Sequence, residues 1–301
     1  MFKNVMMYRM VSAWEQTTAK LEAALEDGRF MACSGSQDKS VGWVPPRGDE
    51  HGPLLEVVAG QWMLKLMVEV KVLPATVVKR KADEQLQHIE ATTGRKPGKK
   101  EAREIREDAR MALLPLAFTK QSSVLVWIDP QARCLVLGAG SQARADEVMT
   151  CLVKAADGLA VQLINTQMSP AAAMSMWLST KEAPQNFSVD RECELKAADE
   201  SKAVVRYTRH ALDTDEVSQH IAAGKVPTRL ALTWNGHVSF VLTEALQLKK
   251  VALLDVVMEG AGAAGDGKDD AFDTDVAIAT GELRKLIPDL LEVLGGEVLQ
   301  A

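Results

Sequence analysis

The residues of this chain best placed to do chemistry are cations spaced along one helix. Lys99, Arg103, Arg106 and Arg110 recur at intervals of four, three and four. At about 100° per residue that spacing puts them on one narrow stripe. Ala102, Ile105, Ala109 and Leu113 form an adjacent apolar face, and Glu101, Glu104, Glu107 and Asp108 fill the remaining side. The apolar face packs, and the basic stripe either faces a polyanion or is laced into salt bridges with the acids beside it. Basic residues continue upstream at Lys79, Arg80 and Lys81, and through Arg95, Lys96, Lys99 and Lys100. A second basic patch stands at Arg206, Arg209 and His210.

Two glycine-rich stretches mimic nucleotide sites. Gly138-Ala139-Gly140-Ser141-Gln142-Ala143 fits G-x-G-x-x-A, which would make the chain an NAD(P)-binding enzyme if it lay inside a βαβ unit. The strand before it reads instead as half of a hairpin, and the next strand ends Leu163-Ile164-Asn165-Thr166-Gln167, with no carboxylate for a ribose. Gly262 to Lys268 has the spacing of a phosphate loop, but Asp269 stands where Ser or Thr would hold magnesium, and Asp266 and Asp270 would repel phosphate. It reads as an acidic surface loop. His51, His88, His210, His220 and His237 form no zinc motif, no Gly-x-Ser-x-Gly elbow occurs, and the carboxylates are scattered. No catalytic residue, metal ligand or cofactor is assigned, and the expectation is a protein that is not an enzyme.

The elements that must position these residues follow from periodicity and punctuation. A strand is expected over Lys3–Met10, then a helix opened by a Ser12/Glu15 capping box and ended by Gly28. Leu54–Leu73 alternates as paired strands around Ala59-Gly60. Lys79–Phe118 reads as two helices joined by a basic turn at Pro97-Gly98. Ser123–Ile128 and Cys134–Leu137 flank a hairpin turn, and a helix spans Ser141–Ala156. Further on come a strand at Val161–Asn165, a helix from Ser169-Pro170, and a helix at Asp215–Ala223 capped by Thr214. A hairpin turns about Asn235-Gly236. A strand at Lys249–Val257 and a helix at Asp273–Leu294, interrupted near Pro288, complete the chain. The clearest strand pairs are hairpins, so the fold class is α+β. The expected organisation is 1–75 together with 122–165, a basic helical excursion at 76–121, and 166–301.

The chain has 301 residues, 47% hydrophobic and 25% charged, with no apolar run near the roughly 20 residues of a membrane span. The N-terminus lacks the order of a secretory signal, so a cytoplasmic location is expected. Cys33, Cys134, Cys151 and Cys193 are far apart, which suggests reduced thiols. Aromatic residues make up 5% and few lie beside the basic runs, which disfavours binding of single strands by base stacking. The formal charge of -6 means that any grip on nucleic acid requires cations gathered onto one surface.

End to end, the chain resembles the RdgC family of bacterial recombination-associated proteins. The resemblance runs through Phe2-Lys3-Asn4, Tyr8-Arg9, Gly35-Ser36-Gln37-Asp38, Gly42-Trp43-Val44-Pro45-Pro46 and Leu73-Pro74. It continues through Leu113-Leu114-Pro115 with Ala117-Phe118, Trp127-Ile128-Asp129, His220-Ile221 and Leu230-Ala231-Leu232 with Trp234. Thr280-Gly281-Glu282-Leu283 and Leu294-Gly295-Gly296-Glu297 close it. The resemblance implies a crescent-shaped subunit of antiparallel sheets and packed helices that pairs into a ring-shaped homodimer around double-stranded DNA. It implies binding without sequence specificity, antagonism of RecA-promoted strand exchange, and a place on the nucleoid. It puts Phe118, with Leu116 and Pro115, at a dimer contact, and Arg206–His210 near the DNA path. A regulatory scaffold that acts on RecA directly is the alternative outside the enzymes.

Overall fold

The computed structural model describes residues 1–11, 14–260 and 268–298. Ser12, expected to cap the first helix, and residues 262–267 of the acidic loop lie outside the described residues. The architecture is α+β, built on a twelve-stranded sheet in the order β2-β4-β5-β6-β1-β12-β11-β10-β8-β9, with β3 beside β4 and β7 beside β1. Every registered pair is antiparallel.

The first strand, β1 (Asn4–Met10), joins the two halves: Met6–Arg9 pair with β6 (Cys134–Leu137), and Asn4 and Val5 pair with β12 (Leu248–Leu253). Its side chains alternate between two cores. Val5 and Met7 enter the larger one; Met6, Tyr8 and Met10 enter the other. A central strand buried on both faces has no polar side, which is why Val5-Met6-Met7-Tyr8 reads as a continuous apolar run.

The N-terminal half carries β2 (Lys39–Val44), β3 (Leu55–Val58), β4 (Gln61–Val72) and β5 (Phe118–Asp129). One face is covered by α1 (Thr18–Glu26) and α4 (Gln142–Ala155), which bury Leu21, Leu25, Ala145, Val148 and Leu152 against Leu64, Leu66, Val126 and Leu135. The first helix begins later than expected: Trp14–Thr17 is not helical, and the Thr17 hydroxyl accepts from the Lys20 amide at 3.3 Å as the actual N-cap. Gly42 is needed for close approach. A Cβ there would lie 2.5 Å from the Phe30 Cα, because the chain after α1 crosses directly over β2.

The C-terminal half carries β8 (Phe187–Ala197), β9 (Val204–Thr208), β10 (Lys225–Trp234) and β11 (Val238–Thr243). The helices α5 (Pro170–Thr180), α6 (Asp215–Ala222) and α8 (Lys268–Val293) all bury side chains in one core on one face of these strands. The short β7 (Val161–Leu163) lies against β1. The β10–β11 hairpin turns at Asn235 and Gly236, with φ of 48° and 69°, as an Asn-Gly type I′ turn requires.

Two expectations fail here. The strand over Lys249–Val257 stops at Leu253 and gives way to α7 (Asp255–Gly260). The last helix is not interrupted at Pro288: α8 runs through it. Leu283, Leu286, Ile287, Leu290, Leu291 and Leu294 are all buried on one side of that helix, and their packing outweighs the single backbone bond that proline removes.

The accessible surface is 16518 Å². A compact monomer of 32.7 kDa would expose about 12,400 Å², so this chain is spread out for its mass.

Candidate nucleic-acid interface

The basic segment forms a helical hairpin of its own: α2 (Ala75–Thr93) and α3 (Lys99–Leu113), followed by a 3-10 turn at Leu114–Leu116. Gly94 ends α2 in the left-handed conformation (φ 66°), and Gly98 opens α3. The two helices pack through a small core that is separate from the main ones: Val78 and Ala82 against Ile105 and Ala109, with Leu73, Leu86, Ile89 and Leu113 around them. The apolar face read from the sequence is therefore the packing face, which turns the rest of α3 outward.

On that outward side the stripe divides. Lys99, Arg103 and Arg106 are exposed and make no ion pair among the described residues, and neither does Lys96 beyond the turn. Arg110 differs from them. Its guanidinium bonds Asp38 at 2.5 Å and Glu107 at 3.1 Å, so it ties α3 to the segment before β2 and is spent on structure. Arg95 is likewise held by Glu101 through two bonds of 2.7 and 2.9 Å, and Lys100 lies 4.0 Å from Glu104. Lys79, Arg80 and Lys81 are exposed on the first turns of α2, near the opposite end of the hairpin from Lys99.

Where the hairpin returns to the sheet, apolar side chains face solvent. Phe118 is 87% exposed and Leu116 80%. Val72 pairs across the ladder with Phe118, and Val70 follows on the same face; both are exposed. Pro115 is exposed too, and lies beside Gly35, whose Cβ position is 3.7 Å from the proline ring. Most large apolar side chains here are buried, so this exposed apolar set stands out from the rest of the surface.

The segment under this patch is held by a buried carboxylate that sequence reading missed. Glu69 on β4 is 2% exposed and accepts from the Cys33 amide at 2.8 Å and from the Gln121 side chain at 2.6 Å. The Gln121 bond and then the Cys33 amide hold its carboxyl below the usual carboxylate range. The backbone of Asp38 accepts from Lys71 at 2.7 Å, so the Cys33–Asp38 strap is fixed to the sheet at both ends, and its Asp38 end is also tied to α3 through Arg110. The clue in the sequence was the single carboxylate of β4, set between Val68 and Val70.

The second basic patch lies at the far edge of the sheet. Arg206 is paired with Glu194 at 2.6 Å. Arg209, at φ 56° just after β9, is exposed and makes no ion pair among the described residues. His210 sits over Tyr207, with ring centroids 5.4 Å apart, and its Nδ1 is 2.6 Å from the Ala211 carbonyl. The α2–α3 hairpin branches from β4 and β5 and this patch from β9, so the two basic regions belong to opposite halves of the sheet order.

The glycine turn at Gly138–Ala143 is not a dinucleotide site. The strand before it, β6, lies antiparallel to both β5 and β1, whereas the motif works at the head of a parallel βαβ unit. The Gly138 amide instead donates to the Leu125 carbonyl at 2.8 Å, and a Cβ at this position would lie 3.4 Å from that oxygen. Near the other end of β1, the carboxylates are neutralised. Glu297 is bonded to Arg9 at 2.6 Å, and Asp129, 1% exposed, to Arg284 at 2.7 Å. No group of three or more His, Cys, Asp or Glu side chains able to hold a metal ion is present among the described residues. No helix among them is long and apolar enough to cross a membrane.

Comparison with known proteins gives the family of the chain. A family model described as "Putative exonuclease, RdgC" matches residues 1–297. The chain is 43% identical over 303 residues to the recombination-associated protein RdgC of Dechloromonas aromatica, covering 100% of this chain and 99% of that protein. It is 45% identical to the protein of the same name from Herminiimonas arsenicoxydans and 44% identical to that from Bordetella pertussis, covering 98% of both chains in each case. With a match over nearly its whole length and relatives at this identity, the chain belongs to the RdgC family.

Proposed function

We propose that two copies of this chain close around duplex DNA as a ring, held by phosphate contacts and blind to sequence, and that by occupying the duplex they limit RecA-promoted strand exchange. One observation carries the reading: the α2–α3 arm presents Lys99, Arg103 and Arg106 with no ion pair among the described residues, and at its return to the sheet it exposes an apolar patch in which Phe118 is 87% exposed. The cations suit a polyanion and the patch suits a second copy. An accessible surface about a third above that of a compact monomer of this mass supports an open, crescent-like subunit.

In this reading residues 76–121 are the arm, 1–75 with 122–165 carry it, and 166–301 supply the other end of the crescent. Lys79, Arg80, Lys81, Arg95, Lys96, Lys99, Lys100, Arg103, Arg106, Arg206, Arg209 and His210 line the path of the duplex. Arg95 and Arg206 take part only by exchanging their carboxylates for phosphate. Enclosure reconciles DNA binding with a formal charge of -6, because the cations need only face inward. Phosphate contacts position a protein without reading bases. The protein acts on the nucleoid and performs no catalytic step.

The test is a gel-shift titration with unrelated duplexes of equal length across several salt concentrations. If each subunit engages about three phosphates, the log–log salt slope is about -5. Equal affinity for the different duplexes and a slope flattened by Lys99→Ala, Arg103→Ala and Arg106→Ala together are the expected results. An unchanged slope removes the stripe from the DNA path. End-labelled duplex held with the protein and Mg²⁺ stays intact in this reading; progressive shortening from the ends would establish the exonuclease that the family description names.

A further inference from the structure

The C-terminal half contains a notch that joins Arg209 of the second basic patch to residues of β8 and β12 outside it. Three irregularities meet there. The β8–β10 register shifts between Leu230 and Leu232, leaving Asp190, Arg191 and Glu192 as a bulge opposite Ala231. The β11–β12 register shifts between Ser239 and Val241, and Lys250 takes a φ of 54°. Arg209 takes a φ of 56° at the end of β9. Bulges re-aim side chains, and non-glycine residues at positive φ are uncommon enough to ask what they achieve. Here the bulge and both positive-φ residues bring cations to one cavity of about 470 Å³, floored by Ala231 and Val241 and rimmed by Arg191, Arg209 and Lys250.

The three cations are not equivalent. Arg191 and Arg209 are exposed and make no ion pair among the described residues. Lys250 is bonded to both carboxylate oxygens of Glu192, at 2.6 and 2.8 Å. The second acid of the bulge, Asp190, is occupied by the Thr233 hydroxyl at 2.8 Å. The notch thus offers two free guanidinium groups and one ammonium whose partner competes with any anion that enters. Guanidinium groups favour phosphate through paired N–H donors.

We infer that this notch takes one backbone phosphate of the duplex per subunit through Arg191 and Arg209, and that Glu192 acts as a gate by withholding Lys250 from the adjacent phosphate. The inference rests on the DNA-binding reading above and adds to it the residues of the second contact and an intramolecular competitor. A cation already paired with a carboxylate releases no counterion when phosphate arrives, so the gate lowers both affinity and salt dependence.

The test uses the full chain and the same salt-dependent titration. Arg191→Gln is combined with Arg209→Asn, since Asn tolerates positive φ, and Glu192→Gln is measured separately. Losing one contact in each of two subunits flattens the slope by about 1.8, whereas freeing Lys250 in both steepens it by about 1.8 and tightens binding at low salt. Both changes are expected, with the wild-type melting temperature retained. An unchanged slope in either variant, beside a wild type that binds steeply, overturns the notch and leaves the clamp standing. Wild-type protein that fails to bind duplex at low salt overturns the clamp itself. Should the double variant fold poorly, the isosteric Glu192→Gln decides alone, because only a phosphate-facing Lys250 makes loss of a surface carboxylate steepen the slope more than a matched Glu200→Gln control does.

Discussion

Among single residues, the contrast between Arg110 and its neighbours on α3 shows how far spacing can be trusted. Periodicity places Arg110 on the same stripe as Arg103 and Arg106, and geometrically it belongs there. Its use is decided by Asp38, 72 residues away in the sequence, which takes it into an ion pair. Glu69 is the complementary case: the one carboxylate of β4, whose partners, Cys33 and Gln121, come from two distant segments. Because its folded carboxyl is held low, the stabilisation it gives is present above the ordinary carboxylate range near about 4.3 and is lost as the pH falls through the folded value. Glu69→Gln is therefore expected to lower the melting temperature at pH 7 and to converge with the wild type towards pH 3. A gap that stays constant with pH would mean the effect is one of packing, not charge.

At the level of elements, two devices set the geometry of the arm. The α2–α3 hairpin has a private core of four buried side chains, enough to fix its form but small beside the two main cores. The strap from Cys33 to Asp38 then couples it to the sheet. Close approach at Gly42 is the tightest point of that arrangement, with the Phe30 backbone where a Cβ would be. Backbone cannot rotate away as a side-chain tip can, so Gly42→Ala is expected to cost more than about 1–3 kcal/mol. Denaturant unfolding at unchanged m-value measures it. A loss below about 0.5 kcal/mol would show that β2 can shift away from Phe30.

For the whole molecule, the sheet order decides what can act together. β1 carries both halves on one strand, and the arm and the Arg206–His210 patch leave the sheet from opposite halves. In the proposed ring a second copy supplies the closure, and the exposed Phe118 patch is the proposed contact. Phe118→Ser is expected to shift the proposed dimer towards monomer in analytical ultracentrifugation and to shorten retention on circular duplex in the same preparation. A variant that stays fully dimeric and stays bound rejects that contact. Its melting temperature should hardly move, because an 87% exposed side chain contributes little to the fold of one subunit.

The sequence alone determined what is local. Turn chemistry fixed the Ala59-Gly60 and Asn235-Gly236 hairpins, since those backbone angles are open to few residues. Helical spacing fixed α3 and its apolar face, since packing there needs only Ile105, Ala109 and a neighbouring helix. Linear order also carried the family resemblance. What only the tertiary structure decided is everything that depends on distant partners. Examples are the continuity of α8 through Pro288, the diversion of Arg110 and Arg95 into ion pairs, and the burial of Glu69. The gathering of Arg191, Arg209 and Lys250 by register shifts at β8 and β12 and a positive-φ residue after β9 belongs with them. Charges act over ångströms in space and not along the chain, so which cations remain free for a partner is settled by the fold.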